Sequence, residues 1–163
     1  MDKVIVTALL IIAGVAAAGL VVTTLTPIVG TSSRSVVESQ KSVANRIATD
    51  IKVLTVHAED TTNLKVLVKN TGTVNVGLLK QSDVYLSDTN GSKFVYLQWG
   101  TGDQDNWNFE WDDNTVIEQG KTIMVTVKLS APNALETGHT YLLNFSTPNG
   151  VASEYRFTYT TPG

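Results

Sequence analysis

A long charge-free apolar segment near the N-terminus constrains this chain more than any other feature. No charged residue lies between Lys3 and Arg34, and residues 4–29 are mostly apolar. About 20 apolar residues in a helix suffice to cross a ~30 Å hydrocarbon layer, so this segment is long enough to span a membrane. A helix that is apolar on all sides must be buried on all sides, either by lipid or by other helices.

A cleavable secretory signal is one alternative for this segment. The apolar core of such a signal is typically ~7–15 residues long and follows a basic start. Here the run is nearly twice as long, and residues 1–3 (Met-Asp-Lys) carry no net charge. The small residues 16–18 could mimic a cleavage site, but they lie in the middle of the run. We therefore expect the segment to be retained.

Small residues are concentrated in the middle of the apolar segment. Ala13 and Ala17 stand four positions apart, as do Gly14 and Ala18, so each pair lies on one face of a helix. Small residues at this spacing let helix backbones approach closely, although Ala and Gly are also common in membrane helices generally. The cluster favours helix–helix packing through Ala13, Gly14, Ala17, Ala18 and Gly19.

A second pattern begins after Pro27. Proline removes a backbone hydrogen bond and kinks or ends a helix; we expect the helix to bend there and resume, whereas a complete break would let Ser32 or Ser33 cap a second helix. Apolar residues then recur at intervals of seven, four and four, as Val36, Val43, Ile47 and Ile51. This spacing is typical of an amphipathic helix. Residues 1–50 are therefore predicted to form a hydrophobic helix followed by an amphipathic stalk.

The remaining residues, 51–163, are called the head. Their hydrophobic period is two, and turn residues such as Asn70-Thr71-Gly72 and Asn90-Gly91 separate the alternating segments. Seven or eight short strands are predicted, at residues 51–57, 64–69, 84–86, 93–97, 115–117, 122–129, 140–145 and 154–159. With no helical pattern between them, we expect an antiparallel immunoglobulin-like β-sandwich without the Cys-Trp-Cys signature. The chain as a whole is predicted to be α+β, a long N-terminal hydrophobic helix followed by this sandwich.

Charge and cysteine content exclude several kinds of function. The net charge is −3, and the first fifty residues hold four basic and three acidic side chains, so the head carries −4. A head without a basic patch cannot displace counterions from nucleic-acid phosphates. The chain has no cysteine, which excludes disulfides, thiol catalysis and cysteine-based zinc sites.

Asp103 and Asp105 open the most acidic segment with the Asp-x-Asp start of a calcium loop. Trp107 stands at the fifth position of that loop and no glycine follows it, so this is not an EF-hand loop. A looser calcium site shared with Asp112 or Asp113 is the alternative. We favour a solvated loop, with the tryptophan side chains of this region packed beneath it or against a neighbour, and expect no bound metal.

Two three-residue patterns match N-glycosylation acceptors, at Asn90-Gly-Ser92 and Asn144-Phe-Ser146. Asn90 lies in a predicted exposed turn. Asn144 lies in a predicted strand, where it is a candidate only if its side chain faces outward. Both residues are retained as candidate acceptors.

No pattern indicates an enzyme. His57 and His139 are the only histidines, and neither has an acid–base partner at any motif spacing. No nucleophile elbow, phosphate loop or metal-binding helix motif occurs. We therefore predict no catalytic residue, no cofactor and no small-molecule substrate.

The order of these parts resembles that of the archaeal flagellins, or archaellins, whose N-terminal segments are like those of type IV pilins. The sharpest local forms are residues 4–14 (Val-Ile-Val-Thr-Ala-Leu-Leu-Ile-Ile-Ala-Gly) and residues 66–72 (Val-Leu-Val-Lys-Asn-Thr-Gly). The second form also occurs in stator components of the archaellum. Ile5 stands where type IV pilins place a glutamate, which favours an archaellin over a true pilin.

The family's precursors carry a short basic leader ending in glycine, which a prepilin peptidase removes. No Lys/Arg-Gly precedes Val4. The resemblance therefore implies either a processed chain or a stator-type relative that keeps its N-terminus.

The resemblance implies a structural subunit of an extracellular helical filament used in swimming motility. Its helix would first hold the monomer in the membrane and then join a bundle of identical helices, packed at the small residues. Its partners would be further copies of this chain, and the membrane before assembly. The alternative is a membrane-anchored, stator-like or surface-binding module whose helix stays in lipid.

Overall fold

The chain forms two compact units, Met1–Val43 and Ala44–Gly163. The computed structural model describes residues 2–102, 105–109 and 116–161, with only the helical backbone described for residues 25–32. The predicted α+β architecture is confirmed: a long apolar N-terminal helix precedes a mostly antiparallel β-domain.

Helix α1 spans Asp2–Ala48 as 47 consecutive helical residues. Its helical backbone continues through Pro27 and past Ser32 and Ser33, so neither serine begins a second helix. The threonines of the apolar part hydrogen-bond back to the preceding turn; Thr24 Oγ1, for example, donates to the carbonyl oxygen of Leu20 at 2.8 Å. Such back-bonding satisfies the hydroxyl groups within the helix itself.

The head contains ten described strands and two short 3₁₀ helices. The strands are β1 Ile51–Ala58, β2 Asn63–Asn70, β3 Val76–Gly77, β4 Asp83–Asp88, β5 Phe94–Trp99, β6 Asn106–Phe109, β7 Val116–Ile117, β8 Thr122–Lys128, β9 Thr140–Ser146 and β10 Ala152–Thr158. The 3₁₀ helices are Leu79–Gln81 and Ala131–Asn133.

Eight of these strands form one sheet, in the order β1-β2-β8-β6-β5-β4-β9-β10, and β3 pairs with β7 separately. All pairings are antiparallel except the short parallel pair of β5 and β6. That pair joins two halves of the sheet, β1-β2-β8-β6 and β5-β4-β9-β10. The edge strands β1 and β10 lie beside each other, where the backbone N–H of Val53 donates to Ser153 Oγ at 3.0 Å. The sheet thus folds over to enclose one core.

The core lies between the two halves because alternate side chains of each strand face inward. Trp107 on β6 and Phe145 on β9 are fully buried, with ring centroids 5.7 Å apart. Burying a large apolar side chain stabilises a fold by about 1.5–3 kcal/mol. The contact between Trp107 and Phe145 therefore stabilises the packing of one half of the sheet against the other.

Part of the acidic segment is a strand, so the predicted loop was wrong for residues 106–109. These residues form β6, with neighbours β8 and β5, and both Trp107 and Phe109 are buried. The strand has only two apolar residues, flanked by Asn106, Asn108 and Glu110, and a pattern this short does not reveal a period of two. Strand β3 and the parallel pairing were not predicted either.

Candidate assembly helix and its junction with the head

The apolar part of α1 is exposed along its whole described length. Every described side chain from Asp2 to Thr24 is exposed, and these 23 residues are long and apolar enough to cross a membrane. The large side chains with half or more of their surface exposed are Val4, Ile5, Val6, Leu9, Leu10, Ile11, Ile12, Val15, Leu20, Val21 and Val22. So much exposed apolar surface needs lipid or other helices to cover it.

The small residues predicted to pack lie in the middle of this exposed segment. A Cβ atom added to Gly14 or Gly19 would meet nothing within 4 Å. Ala13, Ala17 and Ala18 are likewise exposed. Since the chain itself does not cover them, their packing against another helix stays a prediction.

The C-terminal end of α1 is hydrogen-bonded by the turn that follows β2. The backbone N–H of Thr73 donates to the carbonyl oxygen of Ala48, and those of Thr71 and Gly72 both donate to the carbonyl oxygen of Asp50, each at 2.9 Å. The last carbonyl groups of a helix lack partners within the helix. Here the head supplies partners directly at and after the helix end.

Asn70 holds this turn in place. Its side chain is fully buried; Nδ2 donates to the carbonyl oxygens of Val74 at 2.8 Å and Ile117 at 3.0 Å, and Oδ1 accepts from the N–H of Gly72 at 3.0 Å. Both amide protons and the amide oxygen are therefore used. The turn signal at residues 70–72 was visible in the sequence, but its role in binding the helix end was not.

Gly72 is required by close approach and not by an unusual φ angle. A Cβ atom at this position would overlap the backbone nitrogen of Asp50 and lie 2.6 Å from the carbonyl oxygen of Ala48. Both contacts are with backbone, which cannot rotate away as a side chain can. The head thus approaches the helix end as closely as two backbones allow.

A second turn, after β9, contacts the same helix end. Asn149 Nδ2 donates to Thr49 Oγ1 at 2.7 Å, and Thr49 Oγ1 donates to the carbonyl oxygen of Asn45 at 2.7 Å. Arg46 Nη2 donates to the carbonyl oxygen of Gly150 at 3.4 Å. Residues 45–50 are therefore held by two turns that lie far apart in sequence.

His139 has an acidic partner that sequence spacing did not reveal. Its Nδ1 lies 2.8 Å from Oδ2 of the buried Asp88, 51 residues away. Hydrogen bonds lower the pKa of Asp88 to about 2; the largest effect comes from the backbone N–H of Asn90 and the next from His139. Ser92 Oγ also donates to this carboxylate at 2.9 Å. These bonds from Asn90 and Ser92 to Asp88 fix the turn between β4 and β5.

The metal candidates are only partly within the described residues, because Asp103 and Asp112 lie outside them. The carboxylate of Asp105 accepts hydrogen bonds from the backbone N–H of Ser130 at 2.9 Å and from Asn133 Nδ2 at 2.6 Å. Among the described residues, no three His, Asp or Glu side chains are placed to hold a metal ion. Asp105 thus has a structural use, and the absence of a bound metal from the segment stays a prediction.

The two candidate N-glycosylation sites lie in different surroundings. Asn90 is exposed in the β4–β5 turn. Asn144 lies on β9 with its side chain on the outer face, where Nδ2 donates to Glu154 Oε1 at 3.2 Å. The structure therefore meets the condition on which Asn144 was retained.

Solved structures with a similar fold include the following three. The archaeal flagellum of Methanospirillum hungatei strain JF1 matches with TM-score 0.69 and 14% identity, over 96% of this chain and 93% of that one. Archaeal flagellin FlaB1 from Methanocaldococcus jannaschii matches with TM-score 0.56 and 14% identity, over 71% and 93%. The archaellum periplasmic stator protein FlaG from Sulfolobus acidocaldarius matches with TM-score 0.59 and 18% identity, over 67% and 99%.

These identities are low, so the structural matches show a shared fold. No curated protein matches the chain. The sequence model of the archaeal-type flagellin family matches residues 2–157, which include α1 and nearly all of the head. The chain therefore belongs to the archaeal-type flagellin family.

Proposed function

We propose that this chain is a structural subunit of an extracellular, archaellum-type filament used in motility, and that copies assemble through α1. The observation that carries the proposal is the exposed apolar surface of residues 2–24 in a member of the archaeal-type flagellin family. The similarity to the Methanospirillum hungatei flagellum covers 96% of the chain and so extends over the helix.

Assembly exchanges one apolar environment for another. Before assembly, residues 2–24 would lie in the membrane; afterwards they would lie in a bundle of identical helices. Lipid is as apolar as a leucine side chain, so the exclusion of water does not drive this transfer. Close packing at Ala13, Gly14, Ala17, Ala18 and Gly19 supplies the contacts that favour the bundle.

The head binds the C-terminal end of α1 through hydrogen bonds. The last turn of α1 belongs to the same compact unit as the head, and two turns hydrogen-bond to residues 45–50. We place the functional boundary of the extracellular domain near Ile51, with the preceding turn of helix as its base.

A membrane-anchored stator-like module is the second candidate. The fold of the head resembles that of FlaG, which favours it. That similarity covers 67% of the chain, however, whereas the flagellum match covers 96%. In the second candidate, α1 would remain in lipid and its small residues would contact no other helix.

A structural role is also consistent with the chemistry of the head. The buried Asp88 and the half-buried Asp105 are both engaged in hydrogen bonds that fix loops. The family is one of filament proteins. We therefore propose no catalytic activity, no cofactor and no small-molecule substrate.

Replacing Ala17 by leucine tests assembly through the small residues. Leucine is as compatible with lipid as alanine, but it overfills a close-packed helix contact, and overfilling typically costs ~1–3 kcal/mol. Because every subunit repeats this cost, we expect filaments to be shortened or lost while the amount of chain in the membrane is unchanged. The measurement is electron microscopy of sheared surface filaments beside membrane fractionation.

Val15→Leu is the matched control, since it introduces the same leucine into the same segment at a position whose side chain is already large. Normal filaments are expected from this variant. Normal filaments from Ala17→Leu, Gly14→Leu and Ala18→Leu alike would contradict assembly through the cluster and favour the anchored module.

A further inference from the structure

The outer surfaces of the two halves of the sheet differ in charge. Strands β1, β2 and β8 lie side by side and contain no acidic residue, although the head as a whole carries −4. We call their outward surface the lysine face, because its side chains include Lys52, Lys65, Lys69 and Lys128. Positive charge is therefore concentrated on one side of an acidic domain.

Two of these lysines lie directly opposite each other across paired strands. The register of β1 and β2 places Lys52 against Lys69, and like charges in such positions destabilise a sheet. Neither lysine forms an ion pair with another described residue. The lysine face also presents Leu54, which is 41% exposed, and the facing pair Leu67 and Met124. This surface fits a partner that supplies both negative charge and apolar contact.

The outer surface of β4 and β5 carries a cluster of rings, here called the aromatic face. The Tyr85 ring centroid lies 5.1 Å from that of Tyr96 and 5.6 Å from that of Phe94. Phe94 is 70% exposed and Tyr96 is 46% exposed. Two carboxylates border the rings: Asp83 accepts from Tyr96 Oη at 3.1 Å, and Glu154 lies in the same cross-strand row as Tyr85. The aromatic face thus offers apolar surface and negative charge together.

We propose that the lysine face of one head binds the aromatic face of the head of a neighbouring copy. A lysine ammonium group is attracted to the face of an aromatic ring, and the apolar side chains of the lysine face would pack against the same rings. The carboxylates of Asp83 and Glu154 can accept further hydrogen bonds beyond those made within the head. Each surface therefore supplies what the other lacks.

The arrangement of the two faces makes this contact directional. They belong to opposite halves of the sheet, with the core between them, so they lie on opposite sides of the head. A contact between two different surfaces repeats from copy to copy and does not close as a symmetric pair. The inference rests on the proposed function, because the bundle of α1 helices would hold heads at the high effective concentration at which a weak contact forms.

Cysteine cross-linking in assembled filaments tests the contact, because the chain has no cysteine of its own. One variant carries both Lys69→Cys and Tyr96→Cys, one on each face, and its filaments are treated with a short bis-maleimide. Since each subunit would be joined to one neighbour through each face, we expect a ladder of multimers in denaturing electrophoresis. Lys69→Cys with Thr137→Cys is the matched control, since Thr137 lies outside the strands of both faces, and no ladder is expected from it.

Mixed filaments show which surfaces meet. When some subunits carry only Lys69→Cys and the others only Tyr96→Cys, we expect cross-linked dimers and nothing longer. Dimers from Tyr96→Cys alone would show that two aromatic faces meet each other, and the absence of a ladder from the double variant would show that the two faces do not meet. Either result overturns the proposal.

An exchange of charges gives a second measurement. Lys52→Glu together with Lys69→Glu is expected to lower the temperature at which filaments dissociate by several degrees. Adding Asp83→Lys and Glu154→Lys to the same chain restores opposite charges across the contact and should recover most of the loss. Changes on one side of a head do not repair damage within the other side, so a failure to recover would contradict the proposed pairing.

The contact and the filament role can fail separately. Filaments of the native chain that contain the double variant without cross-linking would refute the contact and leave the filament role intact. A native chain that stays in the membrane and never enters filaments would refute the filament role, and with it the reason for two heads to meet.

Discussion

Replacing Gly72 by alanine should destabilise the head by forcing apart the two backbones at its junction with α1. The added Cβ would overlap the nitrogen of Asp50 and lie 2.6 Å from the carbonyl oxygen of Ala48 and 3.0 Å from the carbonyl carbon of Thr49. The φ angle of Gly72 is not positive, so alanine is excluded by crowding and not by backbone conformation. Relief requires the turn to withdraw from the helix end.

The expected cost follows from these contacts. Overfilling a packed site costs about 1–3 kcal/mol, and withdrawal weakens the hydrogen bonds from Thr71 and Thr73, each worth about 1 kcal/mol. We expect a loss of about 3–4 kcal/mol in the free energy of unfolding. The total free energy of unfolding of a domain of this kind is about 5–15 kcal/mol, so the variant should still fold but with a much lower stability.

Urea unfolding of residues 44–163, followed by tryptophan fluorescence, measures this loss. With a slope of about 2 kcal/mol per molar urea, the midpoint should fall by about 1.5–2 M. Gly77→Ala is the control, since a Cβ there meets only Val116 Cγ2 at an ordinary 3.9 Å and should change stability by less than about 0.5 kcal/mol. Equal midpoints for the two variants would refute the claim that backbone crowding selects glycine at position 72.

Two further predictions concern buried and half-buried carboxylates. Because the pKa of Asp88 is lowered to about 2 from an ordinary value of 3.8, its ionised form stabilises the head above about pH 4, and this contribution is lost as the pH falls toward 2. The melting temperatures of the native chain and Asp88→Asn should therefore differ most at neutral pH and converge in acid; a constant difference from pH 7 to pH 2 would contradict this. Asp105→Asn should cost about 1–2 kcal/mol, because the carboxylate accepts from Ser130 and Asn133, and calcium should not change that cost. A melting shift caused by calcium and abolished by Asp105→Asn would instead establish a metal site.

Elements with a long pattern could be predicted most directly from the sequence. The apolar run of α1 and the period of two in β2 and β9 extend over seven or more residues, so the type of each of these elements could be predicted from its own residues. Strand β6 has four residues and takes its identity from its neighbours in the sheet.

The junction could not be read from the sequence for a different reason. Its bonds join Thr49 to Asn149 and Ala48 to Thr73, and nothing local to any of these residues signals the distant partner. The turn at residues 70–72 was predicted from its Asn-Thr-Gly signature. That the same turn binds the end of a helix depends on the tertiary fold.

The meeting of β1 and β10 bears on how filament subunits avoid misassembly. An open edge strand is a template on which an identical chain can add in β-pairing, and crowded identical domains are especially prone to such growth. In this head the two edges of the eight-stranded sheet lie against each other, with Ser153 accepting the N–H of Val53. Each edge strand is thus partly shielded by the other, which disfavours the addition of a neighbouring head by β-pairing when heads lie side by side at high local concentration.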